Sequence, residues 1–309
     1  MPNLSEFEMP HVSQLLAAGL LAAWVALYVG AWYRRHRAQM RLASVFRLVC
    51  FGLGSLLLFL ALVGPVPHWA DSLLTGRSIQ KALLAMLAPP LLWLGLPYHI
   101  IARSLPAQIR RRIRLGPLTR RLTHPLAAWL LFISIFLLWH DPAWVNWTMD
   151  SPGLRAAGSW LLLGSALLFW WHVINTGPRL HTRLPGWIMA IYLLFVEIPN
   201  MAAGITIAFT MQPMYAAYAA LHTANAGLPF DYASDQMISG AIIWVFGSMV
   251  YISAIIGILY RLFRREGSNS PRPLVGWDDA DKVIAPGLEH RLERDAPNPP
   301  WQRANGMRP

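Results

Sequence analysis

Seven stretches of the chain are apolar over about the length an α-helix needs to cross a hydrocarbon layer, roughly 20 residues. They run Gln14–Tyr33, Ala43–Val66, Ala82–Ala102, Pro125–His140, Ala156–Asn175, Trp187–Thr210 and Met237–Tyr260. A backbone in lipid has no water to bond, so a spanning segment must satisfy its own amides and carbonyls, as a helix does. Barrel strands would be about 10 residues long and would alternate in polarity; these runs do neither. The expected fold is therefore an all-α polytopic membrane protein, a bundle of about seven transmembrane helices. The first run follows Glu6 and Glu8, and no short apolar core with a small-residue cleavage site opens the chain. A retained helix is expected there, not a signal peptide.

Only 13% of the residues are charged, yet 26 Lys and Arg against 15 Asp and Glu leave a net charge of +11. In a soluble chain that surplus would point to nucleic acid. Here its distribution points elsewhere. Of the 20 basic residues before Gly267, 17 fall in alternate connections, those after the first, third, fifth and seventh runs. The remaining three are Arg77, Lys81 and Arg155. Cationic loops stay on the cytoplasmic side, which puts the N-terminus outside and the C-terminus in the cytoplasm. The Arg103–Arg121 segment has little aromatic interleaving, so the bilayer and its anionic headgroups are its expected partner and nucleic acid is not. Gly116-Pro117 breaks this segment, which is expected to form short interfacial helices. Residues 1–266 are expected to form the transmembrane domain. Residues 267–309, rich in Pro with six acidic and six basic residues, read as a flexible cytoplasmic tail. The single cysteine, Cys50, lies in the second run as a small apolar residue, and no intrachain disulfide is available to it.

Ionisable groups inside a bilayer are costly and point to function. Glu197 is the clearest, in Leu193-Leu194-Phe195-Val196-Glu197-Ile198-Pro199-Asn200. It would serve a proton or cation pathway, or be a buried carboxyl that is neutral or paired. Pro199 and the pair Pro89-Pro90 each remove amides and are expected to kink their helices. None of the ten histidines has a partner four residues away, and neither Cys-x-x-Cys nor H-E-x-x-H occurs. On the expected outer side lie His68, His140 and His222 with Met149, Met211, Met214 and Met237. Imidazole and thioether suit Cu(I), and packing explains scattered methionines equally well. Trp139-His140-Asp141-Pro142 is the best single candidate among them. Asp71, Asp141, Asp150, Asp231 and Asp235 are expected in solvated loops. No phosphate-binding loop, nucleophile set or paired carboxylates are recognisable, so an enzyme is not expected.

One stretch carries a family signature: Lys81-Ala82-Leu83-Leu84-Ala85-Met86-Leu87-Ala88-Pro89-Pro90-Leu91-Leu92-Trp93-Leu94-Gly95-Leu96-Pro97. It resembles that of the multi-pass CtaG family of cytochrome c oxidase assembly factors. Further matches follow in order. They are His124-Pro125 with Trp139-His140, Phe169-Trp170-Trp171, Gln212-Pro213-Met214-Tyr215, and Asp235-Gln236 with Gly240 and Trp244. The resemblance covers about residues 50–260. It implies a seven-helix accessory protein of the bacterial cytoplasmic (inner) membrane. Such a protein would assist assembly of a haem-copper oxidase, with oxidase subunits or a copper-delivery protein as partners and copper as the associated metal. Two other classes stay open: a redox membrane protein holding haem or copper, and a small transporter using Glu197. His140 and His172 lie near opposite ends of their runs, which argues against a shared haem.

The departures are as informative. Family members typically show H-M-x-x-H just before the Ala-Pro-Pro element, where this chain has Arg77-Ser78-Ile79-Gln80-Lys81. They also tend to show two histidines four apart before the Phe-Trp element, where this chain has Arg155 and Ser159. A charged guanidinium or ammonium cannot ligate a metal. Arg77 and Lys81 share one helical face. With Arg155 they are expected either to form a cationic cluster pairing Asp235 or Asp141, or to lie at the lipid–water boundary. Family-matched positions carried forward are His140, Asp235, Gln236, Pro89 and Pro90.

Overall fold

A computed structural model describes residues 4–38, 43–102, 117–177, 180–182, 184–225 and 227–269. Among these residues the ordered structure is helical throughout. Six helical segments are long and apolar enough to cross a membrane: Gln14–Arg37, Val45–Ser72, Leu74–Ile101, Pro152–Ile174, Gly186–Phe209 and Tyr232–Arg264. The pair Pro125–His140 and Pro142–Met149, bent by 69° at Asp141, meets the same criterion when its two helices are counted as one span, which makes the number six to seven. The chain is thus an all-α, multi-pass membrane protein. Leu15, Leu20, Phe46, Leu126, Leu130, Phe195 and Met249 are all exposed. On spanning helices that is the surface lipid covers.

The helices are α1 (Leu4–Arg37), α2 (Val45–Leu62), α3 (Val66–Ser72), α4 (Leu74–Ala82), α5 (Ala88–Leu94), α6 (Pro97–Ala102), α7 (Pro117–Leu122), α8 (Pro125–His140), α9 (Pro142–Met149), α10 (Pro152–Ile174), α11 (Gly186–Phe209), α12 (Ala216–Ala224), α13 (Tyr232–Ala241) and α14 (Gly247–Asn269). Two π-helical turns, Leu83–Leu87 and Ile242–Phe246, join α4 to α5 and α13 to α14. Local chemistry sets several starts. Pro125, Pro142 and Pro152 each stand at a first turn, where a missing amide costs nothing. The side chains of Asp141, Ser151 and Asp231 accept the amides of Trp144, Leu154 and Ser234. Asn175, left-handed at φ 58°, ends α10.

The Ala-Pro-Pro signature has a direct structural reading. In a helix the Ala85 carbonyl would be bonded by the amide of residue 89, or of residue 90 across a π turn. Both are prolines, so the carbonyl is left free, and the Trp170 indole of α10 donates to it at 2.8 Å. The signature and the Phe-Trp element are therefore two halves of one contact. Pro89 and Pro90 lie in the first turn of α5, directly after the π turn. A second close contact joins α11 to α13. A methyl carbon at Gly240 would sit 2.4 Å from the Ala208 nitrogen and 2.6 Å from the Gly204 carbonyl oxygen. Only glycine permits that approach.

Three span starts lie well before the expected ones. The third span begins at Leu74, not Ala82, so Arg77 and Lys81 are helical and buried instead of standing in a loop. The fifth begins at Pro152, which takes Arg155 into its first turn. The last begins at Tyr232, which takes Asp235 and Gln236 inside. In each case polar residues end the apolar run while the backbone continues as a helix. The chain divides into two compact units, Met1–Leu262 and Phe263–Pro309. The expected tail beyond Asn269 and most of the Arg103–Arg121 segment lie outside the described residues.

Candidate functional site

The family-matched polar residues gather at the end of the bundle where α4, α10 and α13 begin and α8 ends. Asp235 organises it. Its Oδ2 accepts the Leu74 amide and its Oδ1 the Thr75 amide, both at 2.8 Å. The carboxylate thus caps the first turn of α4 from 160 residues away, where helix dipole and free amides favour negative charge. Thr75 Oγ1 donates to the Asp235 carbonyl at 3.3 Å. One turn further along both helices, Ser78 and Ser239 share a hydrogen bond of 2.6 Å. Asp235 is fully buried, so it is not the solvated loop acid expected from its flanks.

Gln236 clamps the segment between α11 and α12. Its Oε1 accepts the Met214 amide at 3.0 Å and the Tyr232 hydroxyl at 2.8 Å. Its Nε2 donates to the Thr210 and Gln212 carbonyls at 2.9 and 3.4 Å. The Asp-Gln pair and the Gln-Pro-Met-Tyr stretch, separate in sequence, are one hydrogen-bonded unit. Met214 enters it through its backbone, with its side chain packed on the core.

The three cations at the altered positions do not pair Asp235 or Asp141 as expected of a cluster. Arg77 and Lys81 are 2% and 3% exposed. The Arg77 guanidinium carbon lies 4.9 Å from the centre of the Trp139 ring, a cation–π geometry. Its Nη2 donates to Thr148 Oγ1 at 3.3 Å, and its Nε has no hydrogen-bond partner. The phenols of Tyr215 and Tyr218 stand near it. Burial pushes both phenol pKa values up, with the Arg77 charge opposing, so they act as neutral dipoles. Among the described residues no carboxylate pairs with Arg77 or Lys81; the ion pairs are Arg155–Asp71 and His222–Asp235. Arg155 turns away to Asp71. It lines a cavity of about 180 Å³ with Gln80 and Ser159, and the Ser159 hydroxyl donates to the Arg155 carbonyl. Asp141 caps α9 and Asp235 caps α4, so neither pairs with the altered cations. The boundary alternative fails too for Arg77 and Lys81, which lie inside the bundle.

The histidines divide. His68 is exposed on α3 and apart from the rest. His140, 7% exposed, bonds the Phe136 carbonyl through Nδ1 at 2.7 Å and leaves Nε2 buried without a partner. His222 does likewise: Nδ1 bonds the Tyr218 carbonyl at 2.9 Å, and Nε2 lies 3.4 Å from Asp235 Oδ2. A ring nitrogen fixed by a carbonyl on its other side is how metal-bound histidines are held. The rest of the donor set does not follow. Among the described residues no three His, Cys, Asp or Glu side chains converge on a metal-sized space. His140 has the Arg77 guanidinium near it, and that charge repels a cation. The residues present do not fit a resident copper ion.

Glu197 sits elsewhere, between α11 and α14. Its carboxylate accepts from the Ser248 hydroxyl and, at 3.3 Å, from the Asn200 amide. Asn200 also donates at 3.2 Å to the Ile243 carbonyl in the second π turn. Glu197 thus helps to stitch two helices together at a π turn. Sequence reading missed Asn200, one helical turn after Glu197, and Ser248, whose approach no local pattern encodes. It also missed Trp139, Thr148, Tyr215 and Tyr218 as the surroundings of buried Arg77. The Tyr215–Tyr218 spacing of three was the one available signal.

Neither curated proteins nor solved structures give a match. The family model for cytochrome c oxidase caa3 assembly factors (Caa3_CtaG) matches residues 26–265. That region holds every polar contact described above, and the chain belongs to the caa3-type cytochrome c oxidase assembly factor family.

Proposed function

We propose that this chain serves oxidase assembly by docking an oxidase subunit or a copper-delivery partner in the bacterial cytoplasmic membrane, without holding a metal itself. The family carries the assembly role. The observation that supports metal-free action is the burial of Arg77 against Trp139, with Lys81 one turn away, at positions where the family resemblance implies histidines. A fixed cation beside His140 disfavours a bound cation and leaves the polar end to serve as a rigid docking frame. No catalytic constellation is assigned, and non-enzymatic action is part of the proposal.

Two experiments test it. Deletion of the gene should lower assembled oxidase while transcripts of its subunits stay level; normal oxidase would refute the assembly role in this cell. Metal analysis of the purified protein should find copper far below one per chain. Stoichiometric copper would sink the metal-free reading. The double variant Arg77→His, Lys81→His is expected to gain copper retention over wild type.

A further inference from the structure

The opposite end of the bundle holds a groove that the assembly role does not use. Its volume is about 960 Å³, and it runs between the start of α8 and the start of α11. Arg120 and Arg121 stand at its mouth with His124 and His181, and no carboxylate is among its lining residues. Inward the walls turn apolar, with Leu126, Leu130, Leu184 and Ile188, closed by Tyr192.

The mouth is built, not merely basic. Thr123 Oγ1 donates to the Thr119 carbonyl at 2.8 Å, so the 3.1 Å contact from His181 Nε2 reaches it as a donor. His172 Nε2 bonds the Thr123 carbonyl at 3.0 Å. The rings of His124 and His181 meet edge to face with centroids 5.6 Å apart. These contacts tie α7, α8, α10 and the segment before α11 together, and α7 carries both arginines that line the groove. Tyr192 donates its hydroxyl to the Pro125 carbonyl at 3.1 Å, which fixes the inner wall.

A cationic rim over an apolar trough, at the end of membrane-spanning helices, matches one kind of molecule: an amphiphile with an anionic head. We infer that this groove is a specific site for one anionic phospholipid. Its phosphate would lie between Arg120 and Arg121, and one acyl chain would lie along Leu126, Leu130 and Ile188. A free anion would use the rim and leave the trough empty. A neutral lipid would use the trough and leave two cations unpaired.

Native mass spectrometry of the full-length protein, released from detergent with defined lipids, is the direct test. Phosphatidylglycerol should be retained at one per chain, and phosphatidylethanolamine with the same acyl chains should not. The double variant Arg120→Gln, Arg121→Gln should bind phosphatidylglycerol roughly 30-fold more weakly, the loss expected for two arginines at a membrane surface. Leu130→Trp keeps the charge and fills the trough, and it should also reduce retention. Both side chains at the rim and Leu130 are exposed, so an unchanged helical spectrum and melting point are expected of each variant. Equal retention of the two lipids would overturn the inference. So would retention untouched by either variant, or displacement of the lipid by millimolar inorganic phosphate.

Discussion

Arg77 and Arg120 mark the two ends of the bundle and are held by different physics. Arg77 is 2% exposed and rests on Trp139 and Thr148. Arg120 is exposed beside His124 and His181. An ion removed from water costs several kcal/mol unless nearby dipoles replace the solvent. At the Asp235 end the Asp235 carboxylate, the Gln236 amide and the Arg77 guanidinium are each held by protein atoms from other helices or segments, and the residues there define the fold. At the arginine end water screens the charges, so they can be changed at little cost and remain free to meet a ligand. A sequence count gives each arginine one charge; burial decides which is structure and which is surface.

That contrast can be broken by substitution. The largest effect is expected for Asp235→Ala. It strips two charge-assisted bonds from buried amides of α4, a loss of about 3–5 kcal/mol, read as a steep fall in the melting temperature in detergent. Unchanged melting would mean that α4 finds its cap elsewhere, and the rigid-frame view of this end would go with it.

Trp170→Phe comes next, at about 1–3 kcal/mol for an orphaned buried carbonyl. Its cost should shrink in a background of Pro89→Ala and Pro90→Ala, where an amide can take the Ala85 carbonyl. A thermodynamic cycle showing simple additivity would argue that the Pro-Pro pair and the indole are independent.

Smaller effects belong to the other end. Burial first, then His124 and Arg120, hold the His181 pKa below its usual range. The folded state therefore binds fewer protons there than the unfolded chain. Stability is complete above the ordinary histidine value near 6.5 and declines as pH falls through and below it. His181→Gln should lessen that acid sensitivity slightly, as seen in melting curves between about pH 7 and pH 5. Least of all, Arg120→Gln with Arg121→Gln should move stability by no more than about 0.5 kcal/mol. A larger fall would place these arginines in the same class as Arg77.

Much of the membrane architecture was legible in the chain. The Pro125–His140 and Trp187–Thr210 runs lie within one residue of α8 and α11, because apolar length fixes a span wherever lipid replaces water. Boundaries failed where a helix carries polar residues inward, as at Leu74 and Tyr232. Hydropathy reads side chains, and a buried cap such as Asp235 keeps the backbone helical through residues that look like loop. The candidate site was legible as a set of positions: Asp235, Gln236, His140 and the Ala-Pro-Pro element were all singled out. Their roles were not, since each partner lies far away in sequence.

By itself the sequence determined that this chain lives in a membrane, which segments cross it and which family signature it bears. Those follow from local composition and spacing, and lipid enforces them segment by segment. Only the tertiary structure decided what Arg77, Lys81, Asp235 and Trp170 do. The energy of a buried charge, or of an unpaired carbonyl, depends on which atoms stand opposite, and those atoms come from other helices.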